Sequence, residues 1–274
     1  MRIKVNGKEA ETAQSTVEEI RKTCKYRSAE FIVLKNGFSA EDDEQVREGD
    51  ELFFIPKGAM PKEDELEAML CARHTPGVHN CIKKARVGIA GLGGLGSSVA
   101  LALARTGIGV LHLVDFDSVE PSNLNRQQYR IAHLGMAKTE ALKAEIAEIN
   151  PYVKVITDNC RVTAENAAEL FSEDEIVCEA FDRPEAKAML AEEILLDCPG
   201  AILVSASGMA GYGDSNRIRT RKINERFYLC GDEAAEAGPG LGLMAPRVSI
   251  CAGHQANLIL QLILENKGEK NNGR

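Results

Sequence analysis

Ala85-Arg86-Val87-Gly88-Ile89-Ala90-Gly91-Leu92-Gly93-Gly94-Leu95-Gly96-Ser97-Ser98 is the stretch that decides the fold of this chain. A short apolar run stops at Gly91, and beyond Gly96 the residues Val99, Ala100, Leu101, Leu103 and Ala104 follow a helical spacing. The pattern is strand, tight glycine turn, helix. Gly91, Gly93 and Gly96 let the backbone turn sharply and approach a phosphate or ribose, and the first amides of the helix favour an anion. Taken alone, the motif leaves open whether the nucleotide is a redox cofactor, a cosubstrate or a bound ligand.

Downstream of that turn, strands over 108–114, 153–157, 175–179 and 201–206 alternate with helices over 137–149, 164–171 and 184–195. A final apolar helix starts at Pro246 and runs through Leu264. The alternation predicts an α/β fold, a Rossmann-like mainly parallel sheet with helices on both faces, across residues 85–274. Upstream, residues 1–58 read as a separate small α+β unit. Arg2-Ile3-Lys4-Val5 reaches Asn6-Gly7, a strong hairpin signal, and 9–12 pairs back. Ser15-Thr16 opens a helix through Val17, Ile20 and Cys24. Phe31-Ile32-Val33-Leu34 and 51–55 are strands, punctuated by turns at Asn36-Gly37 and Gly49-Asp50. Strand, strand, helix, strand, strand is a β-grasp order. Residues 59–84 form a connector, helical over 63–73 and a loop over 74–80.

Composition narrows the function class. The 274 residues carry a formal charge of −8 and 44% hydrophobic residues, which fits a globular protein and argues against nonspecific nucleic-acid binding. Aromatics are 5% with no Trp, so base stacking is not expected as a main activity. The start carries no secretory pattern and no apolar run approaches the roughly 20 residues that span a bilayer, so a cytoplasmic protein without a membrane partner is expected. Eight dispersed cysteines fit reduced thiols better than a disulfide framework, and none forms a C-x-x-C pair. Cys71-x-x-His74 followed by His79-x-Cys81 offers zinc-ligating residue types at an unusual spacing, with Arg73, Pro76 and Gly77 marking a loop. Zinc is therefore not expected.

Ligands of open α/β sheets sit beyond the carboxyl ends of the strands. Three further segments fall there. Asp115-Phe116-Asp117 ends the second strand, at the distance of about 20 residues where an acidic side chain holds ribose hydroxyls. Glu120 to Gln128 is a polar loop for which a redox Rossmann protein has no evident need. Within it Asn123, Arg126 and Gln127, joined by Lys138, would make charge-assisted contacts to a polyphosphate. Asp182 follows the strand over 175–179 and is placed to hold magnesium, which keeps several waters and bridges phosphates.

Together, Gly91-x-Gly93-Gly94-Leu95-Gly96-Ser97, Asp115-x-Asp117, Asn123-Leu124-x-Arg126-Gln127, Lys138 and Asp182 resemble the ubiquitin-activating-enzyme superfamily, whose bacterial members include ThiF, MoeB and HesA. Residues 1–58 resemble the ThiS and MoaD sulfur carriers, down to Val46-x-x-Gly49-Asp50-Glu51-x-x-Phe54-x-Pro56. ThiF, of thiamine thiazole synthesis, is thus the nearest member. The resemblance implies a ubiquitin-like N-terminal unit and adenylation of the C-terminal glycine of a separate ThiS-like carrier, with ATP as cosubstrate and Mg2+. It further implies a sulfur donor protein and a homodimer in which Arg73 is lent to the partner's active site. Asp115 would hold the ribose, Asn123, Arg126, Gln127 and Lys138 the phosphates, and Asp182 the magnesium. The fused unit continues past Gly58 into Ala59-Met60-Pro61, so it lacks the free carboxylate that reacts in such carriers and reads as an interaction module. Cys230 is the best cysteine candidate for sulfur transfer, a packed thiol being the competing reading. A MoeB-like activator of another carrier, or a non-catalytic nucleotide-binding interaction protein, are the alternatives.

Overall fold

Two β-rich hairpins and a helix build the first sheet. The computed structural model describes residues 1–23, 30–58 and 60–272, with the side chains of 63–64 and 266–272 outside that description. Strands β1 (Arg2–Val5) and β2 (Lys8–Glu11) are joined by Asn6 and Gly7, both at positive φ (49° and 79°), as a two-residue hairpin turn demands. After α1 (Val17–Thr23) come β3 (Phe31–Lys35), β4 (Phe38–Ser39) and β5 (Glu51–Pro56). The strand order is β2-β1-β5-β3-β4, with only β1 and β5 parallel. Val17 and Ile20 of α1 pack on Ile3, Val46, Leu52 and Phe54. This is the expected β-grasp with one strand more, because β4 is too short to register as an apolar run. Cys24, expected to end α1, lies outside the described residues.

Helix α2 (Glu63–Leu70) buries Met69 with Ala72 against Leu34 and Phe53. It stops short of residue 73, and the segment expected as loop contains α3 (Val78–Ile82). By its contacts the chain divides into Met1–Asn80 and Cys81–Arg274.

The second unit alternates β6 (Arg86–Ala90), α4 (Gly94–Arg105), β7 (Val110–Val114), α5 (Lys138–Ile149), β8 (Lys154–Asp158) and α6 (Ala167–Leu170). It continues with β9 (Ile176–Glu179), α7 (Pro184–Asp197), β10 (Ile202–Ala206), β11 (Arg219–Asn224), β12 (Phe227–Gly231) and α8 (Ala245–Asn272). Seven strands run β11-β12-β10-β9-β6-β7-β8, parallel except for β11 against β12. Burial is nearly continuous along β6, β7, β9 and β10, as in sheets covered on both faces. Ala90, Val114, Val177 and Leu203 meet Phe171, Leu190 and Ile194 of the α6–α7 layer. The alternate residues, among them Val87, Ile89, Leu111 and Leu113, are fully buried on the side of α4, α5 and α8.

Candidate nucleotide site

The strand order places a topological switch between β6 and β9, and the crevice of such sheets opens beyond their carboxyl ends. The glycine turn lies there. Gly91 has φ +89°, and a Cβ on it would come within 3.0 Å of the Ala180 carbonyl oxygen, just past β9. At Gly96 a Cβ would overlap the Gly91 carbonyl oxygen, so only glycine lets α4 start this close to β6. Gly94 faces Val248 of α8 and the Arg126 backbone. Gly93 differs: a Cβ there would meet nothing nearer than Gln127 Nε2 at 4.0 Å, which leaves this side of the turn open. Gly93 is also the N-cap of α4 and supplies no side-chain cap, so the first helical amides remain for an anion.

A second layer holds the turn in place. The Leu92 amide donates to Asp115 Oδ2 (2.6 Å) and the Asp117 amide to Asp115 Oδ1 (2.8 Å). Tyr129 Oη donates to the Leu92 carbonyl at 2.8 Å. Burial, then the charges of Asp115 and Asp117, push the Tyr129 phenol far up, so it stays a donor. The buried Lys138 reaches back from the start of α5 to Asp117 Oδ2 at 2.8 Å, and their backbones are linked as well. In the loop after β7, Asn123 is buried: its Oδ1 accepts the Glu120 amide (2.9 Å) and its carbonyl accepts those of Arg126 and Gln127. Gln127 is 8% exposed, and its Oε1 is buried without a hydrogen-bond partner among the described residues. Arg126 is half-buried, its Nη1 donating to the Ser122 carbonyl (3.1 Å) and Asn125 Oδ1 (3.0 Å).

Asp182 is exposed just beyond β9 and engages no other group among the described residues. It does not cap α7, whose N-cap is Arg183 with no side-chain bond. Arg73 is exposed in the first unit. Sequence reasoning missed what holds the end of β9. Glu179 is fully buried, accepts the Phe181 amide (2.6 Å) and Lys187 Nζ (3.0 and 3.1 Å), and receives a short bond from the Ser205 hydroxyl. Gln255 of α8 donates to the Glu179 carbonyl at 3.0 Å. It also missed the β11–β12 hairpin and the buried Arg247–Asp232 pair, in which Arg247 further donates to the carbonyls of Gly213 (2.8 Å) and Asp214 (2.9 Å). Cys230 lies wholly buried inside β12, and burial lifts its thiol to about 11. That burial favours the packed reading of this cysteine. His112 is likewise internal, held between Asp174 Oδ2 (2.6 Å) and Asp158 Oδ2 (2.8 Å).

A parallel sheet with a glycine turn and an uncapped helix start at its switch point defines a nucleotide-binding α/β protein. The chain belongs to the ThiF family, which it matches over residues 69–274, while residues 1–58 match the ThiS-like ubiquitin family. Adenylyltransferase and sulfurtransferase UBA4 of Candida glabrata is 31% identical over 72% of this chain and 43% of its own length. The corresponding figures for adenylyltransferase and sulfurtransferase MOCS3 of Dictyostelium discoideum are 32%, 68% and 44%. The chain thus spans less than half the length of these relatives. Among solved structures, Escherichia coli tRNA N6-threonylcarbamoyladenosine dehydratase, crystallised with ATP, superposes with a TM-score of 0.68 at 23% identity, over 77% of this chain and 99% of that one. Escherichia coli MccB superposes at 0.53 and 22% identity, over 73% and 62%. Among the described residues, no helix is long and apolar enough to cross a membrane.

Proposed function

We propose that this chain is an ATP-dependent adenylyltransferase that activates the C-terminal glycine carboxylate of a separate ThiS-like sulfur carrier. The observation that carries the reading is the buried, unpartnered Gln127 Oε1 beside the open side of Gly93, at an uncapped helix start. A buried acceptor without a donor costs about 1–3 kcal/mol, which a bound hydroxyl or amine would relieve. Asp115 spends one acceptor site per oxygen on the turn and keeps others for a ribose hydroxyl. The α4 amides, Lys138 and Arg126 would surround the phosphates. A carrier carboxylate oxygen attacks the α-phosphorus, the bond to the β-phosphate oxygen breaks, and pyrophosphate leaves with the electron pair. The chain's part is to align the groups and neutralise the charge that builds on the phosphates. Asp182, an exposed carboxylate at the mouth, suits Mg2+, which would supply charge neutralisation at the phosphates.

The reading extends to thiamine thiazole synthesis, supported by the ThiS-like fused unit, and to a cytoplasmic homodimer in which Arg73 completes the partner's site. Lys57 and Gly58 continue into the following chain, so the fused unit has no carboxylate there to activate. Carrier-dependent ATP–pyrophosphate exchange tests the proposal: exchange appears with a carrier ending in Gly-Gly and vanishes when that end is removed. No exchange with any such carrier overturns it. A MoeB-like role toward another carrier is favoured by the adenylyltransferase names of the relatives, and the carrier that supports exchange distinguishes the two.

A further inference from the structure

The first unit contains a cluster that the nucleotide site does not use. Cys71 follows α2 directly, His74 lies one turn on, and His79 sits in α3. The His74 amide donates to the Cys71 carbonyl at 2.9 Å, which curls the chain, and Gly77 at φ +88° reverses it so that α3 returns His79 to the other two. One ligand atom from each of the three side chains lies within 4.8 Å of the other two. Cys71 is 5% exposed, and the Nδ1 of His74 is buried without a hydrogen bond. The β3–β4 turn gives this segment a floor, since a Cβ on Gly37 would lie 3.1 Å from the His74 carbonyl oxygen.

We propose that Cys71, His74 and His79 form a binding site for a soft divalent metal, zinc being the ion that fits it best. One thiolate and two imidazoles are a zinc donor set, whereas Mg2+ and Ca2+ take oxygen. Bonds of about 2.0–2.3 Å around a tetrahedral ion set its ligand atoms roughly 3.3–3.7 Å apart. The three atoms therefore close in by about 1 Å, within the reach of side-chain rotation. A water takes the fourth position. Glu67 Oε1 stands 4.0 Å from His79 Nε2, near enough for a small side-chain rotation to let the carboxylate orient the ligating imidazole through its other nitrogen. The second unit begins at Cys81, so three of the four residues of the Cys71/His74/His79/Cys81 pattern lie inside the first unit. Metal here would clamp the segment from α2 to α3.

The test is cobalt substitution in the full chain, stripped with a chelator and titrated with Co2+ alone. One equivalent is expected, with the near-ultraviolet thiolate-to-cobalt band and visible bands of a tetrahedral site, displaced by Zn2+. Cys71→Ser should abolish the thiolate band, His74→Gln should weaken binding at least tenfold, and Glu67→Gln should weaken it by about 10–100-fold. Zn2+ should raise the melting temperature of the parent chain and leave that of Cys71→Ser unchanged. Absence of a stoichiometric cobalt spectrum in the parent chain, which needs no variant to fold, overturns the proposal. So does a thiolate band that persists in Cys71→Ser, because it would belong to another cysteine.

Discussion

Replacing Lys138 by Met probes the proposed reaction most directly. The ammonium lies 2.8 Å from Asp117, and its side chain is 7% exposed against 47% for the carboxylate. Met keeps the apolar stem, so packing persists and the freed Asp117 turns to water. The pair is half open to solvent, and its loss should cost about 1 kcal/mol, or a melting shift of about 2–4 °C. The catalytic effect is expected to be larger. A fixed donor aimed at charge developing on transferring phosphates is worth about 10²–10³-fold in turnover. Carrier-dependent pyrophosphate exchange should therefore fall about 10²–10³-fold in Lys138→Met while the fold survives. Asp117→Asn, which removes the tether and keeps the cation, should lose much less, and the double variant should match Lys138→Met. If Lys138→Met retained exchange to within about threefold, under 1 kcal/mol of barrier, Lys138 would be a structural ion-pair partner only.

Four other outcomes follow from the geometry. Gly93→Val should fold, since nothing lies within 4.0 Å of its Cβ position except Gln127 Nε2, yet it should weaken ATP by at least about tenfold in calorimetry. Unchanged affinity would remove Gly93 from the phosphate cradle. Asp182→Asn caps nothing and should melt like the parent while shifting the Mg2+ dependence of exchange to higher concentration; an identical Mg2+ titration would clear Asp182 of that role. Cys178, Cys230 and Cys251 should resist thiol reagents until the chain unfolds, because burial raises all three thiols, and Cys230→Ser should keep full exchange. For His112, burial opposes protonation, but Asp174 and Asp158 outweigh it and raise the pKa above the ordinary value of about 6.5. Its stabilising contribution is complete below that value and drains as pH rises through the folded one. Urea midpoints should accordingly fall on the alkaline side in the parent, and the same slope in His112→Asn would refute the assignment.

Legibility in the sequence tracked how local each cause is. The β6–glycine–α4 unit was readable because punctuation and the change of period coincide at Gly91 to Gly96. Positions in the polar loop were readable as types, but the tasks of Asn123 and Gln127 depend on which backbone and which empty space they face. Lys138 lacks an acidic residue one turn on in its own helix, and its partner Asp117 comes from a different segment, so a helical-pair rule could not find it. The β11 strand, Arg-Thr-Arg-Lys-Ile-Asn, is exposed throughout and held by its ladder to β12, leaving no apolar alternation to detect. Cys71 and His79 sit far enough apart in sequence that only the reversal at Gly77 unites them.

Two strand-end carboxylates hold the two lips of the site through backbone amides. Asp115, past β7, fixes the first amide of the glycine turn, and Glu179, ending β9, fixes the amide of Phe181 just ahead of Asp182. Each therefore positions one lip of the crevice between β6 and β9. Their surroundings differ, and so do the consequences of losing them. Asp115 is buried but held by backbone amides, so Asp115→Asn can turn its carbonyl toward only one of its two donors and should loosen the turn. Glu179 is sealed in with Lys187, Ser205 and Gln255 around it, and removing its charge strands a half-buried ammonium. By the usual cost of breaking a buried pair, about 3–5 kcal/mol, Glu179→Ala should threaten the fold itself, whereas Asp115→Asn should show first in ATP binding. The same geometric task, holding an amide at a strand end, thus falls to one residue that binding selects and another that folding selects.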